Sequence, residues 1–224
     1  NKMLVCVGGA TVPFPARVAL SVLLATVRCL ACGWFNRLWT IDHGNHGMRP
    51  ARIVAIDLDT NVVIRQQTLS PDIAPAGSFL QDLQVSADGR TVVIADASFW
   101  RKSPAIIVYD IETGDARRVL ESHASVSAED YMIRSQGRDM EFLGGIASLR
   151  GGVDGIALGP EWLYYGALSG SGLFRIKLSD LRNAELPPSQ LANRVERYSD
   201  KPLSDGLSVD VQGNIYITDV EHGS

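Results

Sequence analysis

Three stretches of this 224-residue chain share one form: "QDLQVSADGRTVVIAD", "GVDGIALGPEWLYYGAL" and "SDGLSVDVQGNIYITD". Each has an Asp near its start, an apolar alternation, a turn of Gly, Pro, Asp or Asn, and a closing run rich in Val, Ile, Tyr and Trp. Alternation with period two marks a half-buried strand, and turn residues between two such runs close an antiparallel hairpin. Further strand-like pairs follow two of the hairpins, "PAIIVYDIETGDARRVL" and "GLFRIKLSDL" with "NRVERYS", and "ARIVAIDLDTNVVIRQQTL" follows "RLWTID" in the same way. The unit is therefore four antiparallel strands. Equivalent aspartates recur 54 positions apart from Asp42 to Asp96 and 51 apart from Asp154 to Asp205. Four-stranded repeats of about 40–50 residues predict an all-β fold, a β-propeller with blades packed around a channel.

Residues 37–69 supply at least three strands of one blade, 80–120 a second blade, 152–199 a third and 204–219 the inner half of a fourth, about three and a half blades in all. Closed propellers have about 4–8 blades, so the chain reads as part of a longer protein or as one that closes with another chain. Its final hairpin would present an open strand edge. Residues 37–224 form the expected propeller domain, and residues 1–36 stand apart. There Arg17 and Arg28 bracket a mostly apolar run, residues 18–27. That run is shorter than the roughly 20 residues of a membrane span and fits a signal-peptide core of about 7–15. It reads equally as a buried inner strand pairing with "RLWTID", or as sequence foreign to the fold.

With 21 basic and 25 acidic residues and no Lys/Arg cluster, nothing matches a phosphate backbone, which excludes nucleic acid as a partner. No membrane span is expected, and the oligomeric state is not set by the sequence. The three cysteines, Cys6, Cys29 and Cys32, all precede Trp34. The C-x-x-C pair lacks both the additional ligands of a zinc site and the βαβ context of a redox motif, so small buried hydrophobes are the expectation.

In a propeller blade the start of the innermost strand and the end of the second strand meet at one mouth of the channel. Carboxylates occupy those places: Asp82 with Asp96, Asp205 with Asp219, Asp154 at a strand start and Asp42 at a strand end. The loops after the second strands add His43 and His46, Trp100 and Arg101, Ser169, and Glu221 with His222. Such a ring could hold a divalent cation such as Ca²⁺ through oxygen ligands, or supply acid and base groups to a small molecule. The competing reading is structural, because Asp at a turn bonds its own backbone. Asp154 and Asp205 escape it best, since each opens an Asp-Gly at the channel. His43 and His46, in a Gly-rich loop, are expected to face solvent. The long connection over residues 121–151 is expected to lie over the same mouth as a lid or binding loop.

The stretches "RLWTIDHG", "PARIVAIDLDTNVVIR", "IIVYDIETGDARRVL", "GVDGIALGPEWLYYGALSGSGLFRI" and "KPLSDGLSVDVQGNIYITDVEHG" resemble the major royal jelly and yellow protein family, in the family's order and over most of residues 37–223. The resemblance implies a six-bladed propeller, secreted or periplasmic, with a small-molecule pocket at the channel mouth. Some insect members are linked to dopachrome conversion and others bind small amines. In that picture Asp154 and Asp205 contact a small polar or aromatic ligand, with Asp82, Asp96, Ser169, Asp219, Glu221 and His222 around it. A more distant similarity is to gluconolactonase-type propellers, which implies a metal-dependent lactone hydrolase with Asp205 as base and Asp154 as metal ligand beside it. In that group an Asn stands where this chain has Asp154, an early-blade Glu ligand has no counterpart here, and the turn in "ALGPEWLYY" is shorter. A third expectation is a scaffold protein without catalysis.

Overall fold

The computed structural model describes residues 6–7, 10–11, 27–33, 36–135, 137–142, 147–148 and 150–223. Three four-stranded antiparallel sheets follow one another along the chain, each in simple meander order. The first comprises β1 (Val27–Gly33), β2 (Arg37–Asp42), β3 (Arg52–Asp57) and β4 (Val62–Thr68). The second comprises β5 (Leu80–Val85), β6 (Thr91–Asp96), β7 (Ala105–Asp110) and β8 (Ala116–Val119). The third comprises β9 (Val153–Leu158), β10 (Trp162–Ala167), β11 (Gly172–Lys177) and β12 (Glu196–Asp200), and a last hairpin pairs β13 (Leu207–Val209) with β14 (Ile215–Ile217). β5 lies beside β1, β9 beside β5 and β13 beside β9, so the first strands of successive sheets stand side by side. These are three blades and the inner half of a fourth of a β-propeller.

The sequence places a strand alternative inside residues 1–36, and β1 lies there, pairing Val27 with Asp42 and Gly33 with Arg37. The leader-like run over residues 18–27 lies, apart from Val27, outside the described residues. Short two-residue ladders join Cys6–Val7 to Ala10–Thr11, Arg134–Ser135 to Arg138–Asp139, and Glu141–Phe142 to Ala147–Ser148.

The unbroken apolar runs are explained by blade stacking. Every residue of β6 is buried, because side chains alternate between the faces of a strand and both faces of this blade are covered. Val92 and Ile94 join Ile107 and Tyr109 against Trp39, Ile41 and Ile53 of the first blade. Val93 and Ala95 join Ile106 and Val108 against Ile156, Leu163, Tyr165 and Ile176 of the third. Two short helices, α2 (Leu178–Arg182) and α3 (Pro188–Ala192), follow β11 after the earlier α1 (Gly44–Gly47). Arg182 ties α2 to the second blade: its Nε donates to Thr91 Oγ1 at 2.8 Å and its Nη2 to Asp88 at 2.7 Å.

One buried ion pair ties the outer strand of the second blade to its second strand, and the same guanidinium reaches the connection before the blade. Arg118 Nη1 lies 2.7 Å from Asp96 Oδ2, with side-chain exposures of 6% and 0%. The same guanidinium donates to the carbonyls of Ile73 and Ser103 and to Glu121. Removing one partner of a buried pair strands a charge in low dielectric. Arg118→Met is therefore expected to lower unfolding free energy by about 3–5 kcal/mol in urea titrations. Arg90→Ala, which breaks an exposed pair with Glu112, should change it by less than about 0.5 kcal/mol.

Candidate functional site at the channel mouth

The inner hairpins share an irregularity that the sequence pattern hides. In β5 the register passes from Leu80 opposite Asp96 to Asp82 opposite Ala95, and in β9 from Val153 opposite Ala167 to Ile156 opposite Tyr165. In β1 it passes from Val27 opposite Asp42 to Leu30 opposite Thr40. At the last hairpin Val220 N donates to Leu203 O and Thr218 N to Gly206 O, three residues facing two. Each inner strand thus carries one extra residue near its start, a bulge of the kind that re-aims side chains next to binding sites. Asp82, Asp154 and Asp205 all sit at or beside it.

Close approach of neighbouring strands fixes the glycine after Asp154. A Cβ on Gly155 would stand 3.1 Å from the backbone of Gly206 and Leu207. The two Asp-Gly pairs of the third and fourth blades therefore face each other. Asp82 bridges the second and third blades, with Oδ2 accepting from Ile156 N at 3.0 Å and Oδ1 from Leu83 N at 2.7 Å. Asp205 is exposed and accepts from Thr218 Oγ1 at 2.9 Å.

Asp154 differs from its neighbours. It is 2% exposed, and its Oδ1 has no hydrogen-bond partner among the described residues. Burial pushes its carboxyl well above the ordinary aspartate range, the negative charges of Asp82 and Asp205 push it further, and Lys201 opposes them. Gln81, at the bulge of β5, carries a second buried acceptor without a partner, Oε1. Lys201, which the sequence reading passes over, is 7% exposed. Its burial lowers its ammonium to about 8, against the attraction of Glu129 and Asp154. A lone Lys-Pro step carries no sequence signal of burial; only the packing of the third blade makes one.

Glu129, Ile133 and Arg134, in the connection after the second blade, meet the loops after the second strands at this end. Glu129 accepts from the N–H and hydroxyl of Ser171, and Glu129 N donates to Ser169 O at 2.7 Å. Ser169 is fully buried. Ile133 packs with Leu168 and Leu203, flanked by Phe99 and Val220. Arg134 N donates to Glu221 Oε1 at 2.8 Å, and His222 Nδ1 lies 2.7 Å from Asp219 Oδ2. That contact holds Asp219 below and His222 above their ordinary ranges.

Other aspartates named from the sequence close turns. Asp42, Asp96 and Asp219 each accept, through Oδ1, the N–H two residues on, from Gly44, Ser98 and Glu221. Each gives Oδ2 to a basic partner, Arg52, Arg118 or His222. Asp96 also accepts from Phe79 N, so its carboxylate is occupied. His43 does not face solvent as expected: it is 1% exposed, and its ring stands edge-on to Phe79 at 5.1 Å. The glycines that suggested an open loop instead wind into α1 and turn the His43 side chain inward. Trp100 is exposed, and Arg101 pairs with Glu121. No three His, Cys, Asp or Glu side chains among the described residues form a group able to hold a metal ion. A cleft of about 260 Å³ lined by Gln67, Asp72, Ile73 and Asp115 lies on the outer strands, away from the carboxylates.

Fold and site together define a β-propeller whose channel mouth holds a desolvated carboxyl among other acidic groups. The family model described as "Major royal jelly protein" matches residues 26–224, and the chain belongs to that family. Solved structures agree on the fold. A protein of Bacteroides fragilis NCTC 9343, assigned provisionally as a 6-phosphogluconolactonase, is 11% identical with a TM-score of 0.52, over 85% of this chain and 49% of its own. One of Bacteroides uniformis ATCC 8492 with the same provisional assignment is 10% identical with a TM-score of 0.51, over 85% and 49%. The chain thus spans about half the length of these structures. No curated protein matches it significantly. Among the described residues no helix is long and apolar enough to cross a membrane.

A native acid with a raised pKa keeps a proton that the unfolded chain releases. Its stability contribution is therefore intact below about pH 4 and declines as pH rises toward the native value. Asp154→Asn should match the parent's thermal midpoint at acid pH and exceed it increasingly from pH 4 to 7, as read by calorimetry.

Proposed function

We propose that this propeller is an exported small-molecule binder of the major royal jelly protein type, holding a polar or aromatic ligand at its channel mouth. The observation that carries this reading is the buried Asp154 Oδ1 left without a donor. A buried acceptor without a partner costs about 1–3 kcal/mol, which a ligand N–H or O–H would recover. The carboxyls of Asp82 and Asp205 favour a ligand carrying positive charge, since both raise the Asp154 pKa through their own negative charge. Ser169, Asp219, Glu221, His222 and, from the preceding connection, Glu129, Ile133 and Arg134 form the rim around it, and family membership supports export. Conversion of dopachrome type, a proton shift within the bound molecule, would use the Asp154 carboxyl as the proton carrier.

The metal-dependent hydrolase reading has less support, because Asp154 and Asp205 lack a third ligand among the described residues. Calorimetric titration with a phenol-bearing primary amine such as tyramine tests the binding reading. The parent should bind it saturably, and Asp154→Asn, which keeps shape and removes the titratable carboxyl that a cationic ligand would ionise, should weaken binding at least about tenfold, or about 1.4 kcal/mol. Equal affinity in parent and variant would contradict the assignment.

A further inference from the structure

Lys201 is a buried lysine that the proposed binding reading leaves without a role. The side chain is 7% exposed. No carboxylate comes within ion-pair distance of it among the described residues, although Glu129 and Asp154 act on it electrostatically. Its Nζ makes one hydrogen bond, to Pro202 O at 3.0 Å, and an ammonium has three donors to place. The aliphatic stem is seated by design of the third blade: a Cβ on Gly166 in β10 would fall 2.4 Å from Lys201 Cε. The stem thus occupies the space that a side chain at 166 would fill. Buried lysines usually pair with an acid, and among the described residues this one has no ion pair.

We propose that Lys201 is a covalent anchor for ligands carrying an aldehyde or ketone, an inference that rests on the channel mouth being a small-molecule site. The neutral Nζ lone pair attacks the carbonyl carbon, a C–N bond forms, and the carbonyl oxygen takes up the proton that nitrogen loses, giving a carbinolamine. Uptake of one further proton expels the hydroxyl as water and leaves a protonated imine. In sum, one carbonyl compound, one amine and one proton give one iminium and one water, with no redox change. Desolvation is the recognised route to such lysines, because it disfavours the ammonium and leaves the nucleophilic amine populated near neutral pH. The adjacent acidic groups would stabilise the cationic imine once formed.

The chain contains four lysines, Lys2, Lys102, Lys177 and Lys201, so labelling can be read residue by residue. The whole chain is incubated at pH 7.5 with benzaldehyde and sodium cyanoborohydride, which reduces an imine to a stable benzylamine, and is mapped by peptide mass. Lys201 should be benzylated at least about tenfold faster than the exposed Lys177, and the preference should vanish in urea; each unit by which an amine's pKa is lowered gives about ten times more free base at neutral pH. Excess N,N-dimethyltyramine, a tertiary amine that cannot itself form an imine with benzaldehyde, should slow the labelling of Lys201 and leave Lys177 unaffected, which places the reaction in the ligand site. Labelling of Lys201 no faster than Lys177, or the same preference in urea, overturns the inference. Saturable tyramine binding alongside unlabelled Lys201 removes the covalent step alone, whereas loss of both removes the site reading as well.

Discussion

The packing of β5, β9 and β13 side by side around the channel is the constraint on which the rest depends. Backbones as close as Gly155 and Gly206 would hold a Cβ only 3.1 Å from the facing chain, so a side chain there would force the neighbouring strand to give. The third and fourth inner hairpins answer with a glycine after the aspartate, and every inner hairpin carries one extra residue. That extra residue breaks the ladder locally and turns side chains at the strand start away from ordinary pleated positions. At one end of the repeat this leaves Asp82 bonded across the blades, Asp205 bonded to Thr218, and the Asp154 Oδ1 without a partner among the described residues.

The same repeat yields two kinds of aspartate, separated by their hydrogen bonds. Those at the ends of β2, β6 and the last hairpin accept a backbone N–H two residues on and face a basic group, which commits both carboxyl oxygens to structural bonds. Asp154 has neither and is buried among negative charges, which favours its neutral form. Lys201 shows the complementary condition, a cation held where charge is disfavoured. Such opposite shifts within one mouth are characteristic of functional sites, where burial and like charge move titration toward neutrality. The apolar group of Ile133, Leu168 and Leu203 lies at this same end and helps keep water out.

The blades were legible because hairpin periodicity and turn residues are local signals, and the stretches from "QDLQVSADGR" to "QGNIYITD" fold as those signals say. Asp154 and Asp205 stood out for the same reason, each opening an Asp-Gly. Less was visible wherever the outcome depends on a neighbouring blade. The bulge leaves the spacing from Asp82 to Asp96 equal to that from Asp205 to Asp219, so no count of residues reveals it. Asp82 bonds Ile156 N across 74 positions, and buried His43 packs edge-on against Phe79, far along the chain. Lys201 follows the third blade with nothing in its own sequence to mark it, and becomes buried because Gly166 makes room.

The protonation state of Asp154 is the most direct test of this account. Infrared spectroscopy of protein carrying ¹³C-carboxyl aspartate, difference-mapped against Asp154→Asn, follows that one group through a pH titration. The account predicts a protonated-carboxyl band from Asp154 that persists well above the ordinary aspartate range and shifts when a cationic ligand binds. Ionisation of Asp154 near its ordinary value of about 4, with no response to ligand, would contradict it.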